Sequence, residues 1–216
     1  LWHFQTVHHD LWDLDNVSAP QLATVRRDGK AVDVVAHAGK TGFLYVFNRV
    51  TGEPLWPIEE RPVPGSDVPG EMAWPTQPFP TRPAPFAKQS FTVDDVNPWL
   101  LTPDEYRKMR DRVSNARNEG LFTPPALIDT VSMPGNQGGS NWGTTAADPG
   151  RGLVFVVNVN QVALLKLEDV RARASLSENG SAAPTPQQGA AVFQQDCSAC
   201  HGANLQGAVA GAPSLV

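Results

Sequence analysis

The chain is poor in cysteine, in long apolar runs and in clustered positive charge. Its 216 residues include two cysteines, Cys197 and Cys200, which are too few for a four-cysteine zinc site. Its longest apolar runs, such as Phe43 to Phe47, are far too short to cross a bilayer. Its 17 Lys and Arg residues stand against 22 Asp and Glu, a net charge of −5, and form no stripe that could neutralise phosphates. These shortages argue against a membrane-spanning segment and against nucleic acid as a partner.

Proline and glycine, by contrast, are abundant. Twenty prolines and eighteen glycines indicate many turns and little long helix, as in an all-β architecture. Apolar stretches bounded by turn residues predict strands over residues 31–36, 43–47, 153–159 and 162–167. Residues 57–101 carry many prolines and no periodicity, so a long ordered loop or an excursion from the sheets is expected there.

One helix is clearly predicted, over about residues 102–120. Thr102 is a candidate N-cap, Pro103 suits the first helical position, and Glu105 completes a capping box. Gly120 is the expected end of the helix. Its charged outer face shows no chemistry, so it is interpreted as a packing element.

Composition also predicts a domain boundary. Residues 174–188 are rich in Ser, Ala, Pro, Gln and Gly and are typical of a linker. They separate a β-rich domain, 1–173, from a short second part, 189–216, whose first helix is expected to begin near Thr185 and Pro186. The chain opens on a strand-like stretch without Met or signal peptide, so we expect an internal fragment of a longer protein.

The second part contains the most specific motif, Cys197-Ser-Ala-Cys200-His201. Two thiols at this spacing can each add to one vinyl group of a haem, and His201 then falls under the iron as an axial ligand. A zinc site would need further ligands, and a redox dithiol would need a thioredoxin-like βαβ pattern; neither is present in the sequence. The motif therefore predicts covalent haem c. Covalent haem attachment in turn predicts that the protein is located in the periplasm or on its membrane face.

Four further stretches carry a family resemblance. They are W-H-F-Q-T-V-H-H-D-L-W-D from Trp2, K-T-G-F from Lys40, P-T-Q-P-F from Pro75, and G-G-S-N-W-G from Gly138. The T-G-E-P-L-W run that ends at Trp56 is similar to a blade-docking motif. In this order the stretches resemble the pyrroloquinoline quinone (PQQ) dehydrogenases, closest to the membrane glucose dehydrogenase branch, over residues 1 to about 168. The resemblance implies two or three blades of an eight-bladed β-propeller of four-stranded sheets, followed by the start of a helical cytochrome c domain.

The same resemblance implies roles for individual residues. Asp13 matches the general base that takes the substrate's hydroxyl proton, and one of its oxygens would bind a calcium ion beside PQQ. Asp10 is the alternative base. Lys40 matches a lysine on the quinone oxygens, where a cation stabilises developing negative charge. Asn141 is expected to hydrogen-bond PQQ and Trp142 to pack near its ring, although a blade-packing tryptophan fits the sequence equally well.

Some groups remain outside these assignments. His8 and His9 are interpreted as pocket-rim or structural residues, because a histidine pair alone does not make a metal site. The other calcium ligands and the axial methionine of the haem are expected beyond this chain.

Together these expectations describe a periplasmic quinohaemoprotein. It would oxidise a sugar or alcohol with PQQ and pass electrons through haem c to a quinone or cytochrome acceptor, with membrane association through segments outside the chain. The alternative is a catalytically silent propeller that carries a cytochrome. Asp13 and Lys40 discriminate between the two, because a silent scaffold has no need for both.

Overall fold

The computed structural model describes residues 1–143, 145–169 and 185–206. These fall into two compact units, Leu1–Leu167 and Glu168–Val216, each of which is considered by itself. Most of the predicted linker, 174–188, lies outside the described residues. No helix within the described ranges has the length and apolar character needed to span a membrane.

The described part of the first unit is built from small antiparallel sheets. Its strands are β1 (Gln21–Arg27), β2 (Lys30–Ala38), β3 (Leu44–Asn48), β4 (Ile58–Pro62), β5 (Thr76–Pro80), β6 (Thr130–Ser132), β7 (Thr145–Asp148), β8 (Leu153–Val156) and β9 (Ala163–Leu165). Strands β1, β2 and β3 form one sheet in that order, and β4–β5, β6–β9 and β7–β8 form three antiparallel pairs.

The first sheet follows directly from local sequence. Asp28 and Gly29 make the turn between β1 and β2, with φ of 51° and 77°, the left-handed pair that a two-residue hairpin needs. Along β3 the side chains of Tyr45 and Phe47 are buried while their neighbours are half-buried, which is the alternation of a strand with one covered face. The predicted strands at 31–36 and 43–47 are thereby confirmed.

The prediction for residues 57–101 is incomplete, because this stretch contains the hairpin β4–β5. Its prolines hid the pattern: Pro78 and Pro80 lie inside β5 and Pro62 ends β4. Proline is tolerated at the edges of sheets, and in a two-stranded sheet both strands are edges. The pair is anchored to the first sheet by the buried Tyr45 hydroxyl, which donates to the Pro78 carbonyl at 2.9 Å.

Helix α1 (Pro103–Asn115) begins as predicted and ends earlier than predicted. Thr102 and Glu105 form the reciprocal capping box. The expected end at Gly120 is wrong, because the backbone is already extended at Ala116. The next residue, Arg117, instead bridges to Thr130 at the start of β6. Tertiary pairing therefore overrides a helical pattern that the sequence alone would continue.

The core of the first unit is aromatic and brings distant segments together. Its buried members are Val7, Trp12, Leu14, Phe43, Tyr45, Phe47, Leu121 and Phe122. The edge of Trp12 meets the ring of Phe122 at 5.2 Å between centroids, and Phe122 meets Phe79 of β5 in the same way at 5.5 Å. Trp56 is half-buried and lines a cleft with Val46 of β3 and Val154 of β8.

In the second unit the backbone is helical from Pro186 through His201 of the C-x-x-C-H motif. Helix α2 (Pro186–Val192) is followed by a π-helical segment, Phe193–Cys197, and by the single turn α3 (Ser198–His201). The predicted helix start at Pro186 is confirmed. Gly202, with φ of 76°, ends the helix directly after His201.

The capping box of α1 gives a test of the local fold. Replacing Thr102 with Ala removes the oxygen that accepts the Glu105 amide, which should cost about 1 kcal/mol. The opening free energy of the first helical turn then falls, and hydrogen exchange at these amides should quicken about fivefold. Thr102→Ser keeps the hydroxyl and should exchange as wild type does; equal acceleration in both variants would contradict the capping role.

Candidate functional site

The candidate site starts at the loop that carries H-H-D-L-W-D. The Asp10 carboxylate folds this loop by accepting the amides of Trp12 at 2.9 Å and Leu14 at 2.8 Å. Trp12 is 2% exposed, and its indole N–H donates to the Thr123 carbonyl at 2.8 Å. Both oxygens of Asp10 therefore serve the loop, an arrangement that favours Asp13 over Asp10 as a proton acceptor.

The P-T-Q-P-F stretch holds the other end of this loop. Gln77 of β5 is fully buried, and its amide oxygen accepts the His8 amide at 2.8 Å. Its amide nitrogen donates to the His8 carbonyl at 2.7 Å. One glutamine thus pairs with His8 as a neighbouring strand would, and two separate sequence motifs become one structural unit.

The two histidines of the loop are each engaged with a glutamate. Nε2 of His8 lies 2.9 Å from Glu60, and Nε2 of His9 lies 3.0 Å from Glu71. The hydrogen bond to His9 holds the pKa of Glu71 below its usual value. No group of three or more metal-binding side chains occurs among the described residues. These contacts agree with a structural or rim role for the histidines.

Lys40 lies in the tight connection between β2 and β3, and its side chain is 7% exposed. Its Nζ donates to Asp13 at 3.1 Å and lies 2.6 Å from Asp15, whose side chains are 64% and 55% exposed. The cation is therefore buried beneath two carboxylates that face solvent. An unpaired ammonium would be costly in this position, and the two carboxylates compensate for its lost hydration.

The contacts in this cluster shift the pKa values of Asp15 and Lys40. The hydrogen bond from Lys40 holds the pKa of Asp15 below its ordinary value. Burial alone would lower the pKa of Lys40, but the hydrogen bonds to Asp15 and Asp13 outweigh it and raise that pKa. Lys40 is consequently a fixed cation at neutral pH.

Asp13 also has unusual backbone geometry. Its φ is 62°, in the left-handed region that few residues other than glycine, Asn and Asp visit. Such conformations cost about 1 kcal/mol or more and concentrate at functional sites. In this conformation the Asp13 carboxylate contacts Lys40. The carboxylate also remains exposed, so a small molecule can reach it.

The G-G-S-N-W-G stretch covers the opposite side of Lys40. The Gly139 amide donates to the Lys40 carbonyl at 2.8 Å. Gly138, with φ of 76°, packs so closely that a Cβ there would lie 2.3 Å from the Cβ of Lys40. Gly139 approaches Gly42 in the same manner. The G-G-S-N-W-G loop therefore packs directly against the K-T-G-F turn, and this packing fixes the backbone and the Cβ of Lys40.

Asn141 and Trp142 belong to the same loop but are placed differently. The Asn141 amide donates to the Gln137 carbonyl at 2.8 Å, and its oxygen accepts the Trp142 amide at 2.8 Å. Trp142 is 78% exposed. Asn141 thus stabilises its own turn, and Trp142 presents an open aromatic face. Their contacts to a cofactor stay predictions.

In the second unit, Cys197 and His201 lie four residues apart on continuous helical backbone. Residues at this spacing share one face of a helix. Cys197 is half-buried and carries a free thiol, and His201 is half-buried as well. The spacing suits a haem bound covalently on one side and ligated on the same side; the Cys200 side chain lies outside what the structure describes.

The donor set around Lys40 fits a quinone cofactor. An ammonium can contact quinone oxygens, and the adjoining carboxylates of Asp13 and Asp15 are the oxygen donors that calcium prefers. A Cβ at Gly138 or Gly139 would collide with Lys40 or with Gly42, so these glycines permit the close packing that fixes Lys40. The described residues alone do not complete a calcium site, since the acidic oxygens come from only two side chains.

Comparison with known proteins decides the family. Residues 1–213 match the model for PQQ, described as "Glucose/ethanol/alcohol dehydrogenase, beta-propeller domain". The chain belongs to this family. The small antiparallel sheets of the first unit agree with part of such a β-propeller.

Three relatives illustrate the similarity, and each is named as a dehydrogenase. The chain is 34% identical over 183 residues to the quinate/shikimate dehydrogenase (quinone) of Acinetobacter baylyi, covering 82% of this chain and 22% of that protein. It is 37% identical over 150 residues to the quinoprotein glucose dehydrogenase of Escherichia coli, covering 69% and 18%. A shorter match, 44% over 55 residues, joins 26% of the chain to 8% of the quinohemoprotein alcohol dehydrogenase ADH-IIG of Pseudomonas putida. The chain spans about a fifth of the length of the first two.

Sequence reasoning did not identify Asp15 or Gly138 as parts of the site. Asp15 is the nearer carboxylate to Lys40, and Gly138 is the wall behind that side chain. The W-D-L-D spacing could have indicated Asp15, since alternate residues of an extended segment can face the same way. No local signal indicated that Gly138 meets Lys40, because the contact joins residues far apart in sequence.

The Gly138 wall yields a matched pair of variants. Gly138→Ala introduces a left-handed alanine and a collision with Lys40, so the free energy of unfolding should fall by about 2–4 kcal/mol. Gly70 also has positive φ but open space around it, so Gly70→Ala should lose only about 1 kcal/mol. Denaturant titration measures both; equal losses would show that Gly138 does not support Lys40.

Proposed function

We propose that the protein containing this chain is a PQQ-dependent dehydrogenase that oxidises a CH–OH group of a sugar or alcohol. The observation that carries the proposal is the buried Lys40 ammonium beneath the exposed Asp13 carboxylate, 3.1 Å apart. Family membership supplies the cofactor class. Two of the relatives are named for glucose and quinate, so a polyhydroxylated substrate is the class that we favour.

In this proposal the two residues have separate duties. Asp13 accepts the proton of the substrate hydroxyl, for which an accessible carboxylate is suited. When bound, PQQ supplies the quinone that accepts the hydride. Lys40 remains protonated and holds a positive charge where negative charge develops, without having to reorganise because it is already buried and fixed. The wall of Gly138 and Gly139 keeps water from the back of Lys40.

Calcium is the metal that we propose at Asp13. A carboxylate oxygen is a preferred calcium ligand, and a calcium ion would polarise the quinone as a Lewis acid. Its other ligands would come from parts of the protein beyond this chain. The radial arrangement of the sheets as blades, with Trp56 between two of them, belongs to the same proposal.

We further propose that the second unit begins a cytochrome c domain that binds haem c through Cys197, Cys200 and His201. The shared helical face of Cys197 and His201 supports it, as does the short similarity to a quinohaemoprotein. Electrons would pass from PQQ to this haem and on to a quinone or cytochrome acceptor. The protein would then act in the periplasm, either free or at the membrane face. A silent propeller with a cytochrome is the competing function, and it is distinguished by turnover.

The roles of Asp13 and Lys40 separate in kinetics. In the complete protein reconstituted with PQQ and calcium, Asp13→Asn should lower kcat about 100-fold or more, because the proton acceptor is lost. Asparagine tolerates the left-handed backbone at this position, so the loop should keep its shape. Lys40→Ala should lower both the rate of PQQ reduction and the affinity for PQQ.

Rapid mixing with aldoses, polyols and simple alcohols provides the measurement. Asp28→Asn is the matched control, since Asp28 is also left-handed and lies in an exposed hairpin turn. Wild-type turnover in Asp13→Asn would show that another residue is the base. Absence of turnover in the wild type with every substrate would favour the silent propeller.

Haem attachment is tested separately. When the complete protein is expressed with a haem-ligation system, its pyridine haemochrome spectrum should be of the c type. Cys200→Ala should lose most covalent haem, and His201→Ala should keep the thioether bonds but change the axial ligation. Full haem stoichiometry in Cys200→Ala would contradict the assignment.

A further inference from the structure

The nearest anion to the Lys40 ammonium is Asp15, not the proposed base. Lys40 Nζ lies 2.6 Å from the Asp15 carboxylate and 3.1 Å from that of Asp13. A charged pair at the shorter distance is in the range of strong, charge-assisted hydrogen bonds. The site therefore contains a second carboxylate that forms its own close ion pair with the Lys40 ammonium.

Asp15 is itself well anchored by its neighbours. Leu14 is buried, and its amide is held by Asp10. On the other side, the side-chain oxygen of Asn16 lies 2.9 Å from Nε2 of His37 on β2. The side-chain nitrogen of Asn16 donates to the Thr6 hydroxyl at 2.8 Å. Although the Asp15 carboxylate faces solvent, the backbone that carries it is fixed to the first sheet.

The other sides of Lys40 are closed. Gly138 lies against its Cβ, and the Gly139 amide fixes its carbonyl. The position of the ammonium is therefore set by the two carboxylates on the open side. In the proposed function Asp13 accepts a proton and binds a calcium ion. Either positive charge on its oxygens weakens its attraction for Lys40. The proposed function places the substrate proton and the calcium ion on Asp13 and leaves the Asp15 carboxylate to Lys40.

We propose that Asp15 is a positioning residue that holds the Lys40 ammonium in place for PQQ while Asp13 exchanges protons. This inference rests on the proposed function. It assigns to the second aspartate of W-D-L-D a task different from that of the first, since Asp15 acts through Lys40 and does not receive the substrate proton.

The test compares Asp15→Asn, Asp15→Glu and, as a smaller neutral side chain, Asp15→Ser in the complete protein. The first readout needs no turnover: acetylation of the apoprotein with acetic anhydride, with each lysine followed by mass spectrometry. Freed from its nearest partner, Lys40 should react about fivefold faster in the neutral variants. Lys30, on the exposed hairpin, is the internal standard, and Asp28→Asn is the control for loss of a charge.

The second readout compares the effects of each variant on kcat, on KM and on the dissociation constant of PQQ. With Asp15→Asn, kcat should fall about tenfold and the dissociation constant of PQQ should rise severalfold, whereas KM for the substrate should change little. Asp15→Glu, which keeps the carboxylate, should recover most of both. A merely structural role would not be rescued in this way.

The outcomes distinguish this inference from the function on which it rests. An active wild type, with unchanged kcat and PQQ affinity in Asp15→Asn, overturns the positioning role alone. Unchanged acetylation of Lys40 in both neutral variants overturns it as well, because Asp15 then does not hold the ammonium. If the wild type neither binds PQQ nor turns over, the proposed function fails and the positioning role fails with it.

Discussion

The site depends on one interaction, a lysine ammonium buried beneath two exposed carboxylates. A buried cation is expensive unless its charge is balanced, so Lys40 requires both Asp13 and Asp15 near it. The carboxylates in turn require a loop that bends sharply, and Asp10 and Trp12 hold that bend. The ion pairs of one side chain thus join the N-terminal loop to the β2–β3 connection.

The motifs that carry the family resemblance are contacts of this arrangement. Gln77 brings β5 to the N-terminal loop, and Gly139 brings the β6–β7 loop to Lys40. Each motif is short and far from the others in sequence, yet each supplies a wall, a hydrogen bond or a charge at one end of the first sheet.

Much of the local structure could be predicted, because its causes are local. Asp28-Gly29 specifies a hairpin, and Thr102 with Glu105 specifies where α1 begins. The end of α1 and the β4–β5 hairpin could not be predicted, since the first depends on pairing with β6 and the second on prolines tolerated at sheet edges. For the site, family motifs indicated Asp13 and Lys40 one at a time. Neither their contact nor the closer contact of Asp15 could be predicted, because both depend on tertiary folding that the residue types do not specify.

The most direct test of the central claim is an experimental structure of the complete protein with PQQ bound. The measurement is the distance from Lys40 Nζ to the nearest quinone oxygen, together with its distance to Asp15. We expect a hydrogen bond of about 2.7–3.2 Å to the quinone, with the contact to Asp15 retained. A PQQ bound elsewhere, or a Lys40 that contacts Asp13 and Asp15 but no atom of the cofactor, would contradict the account.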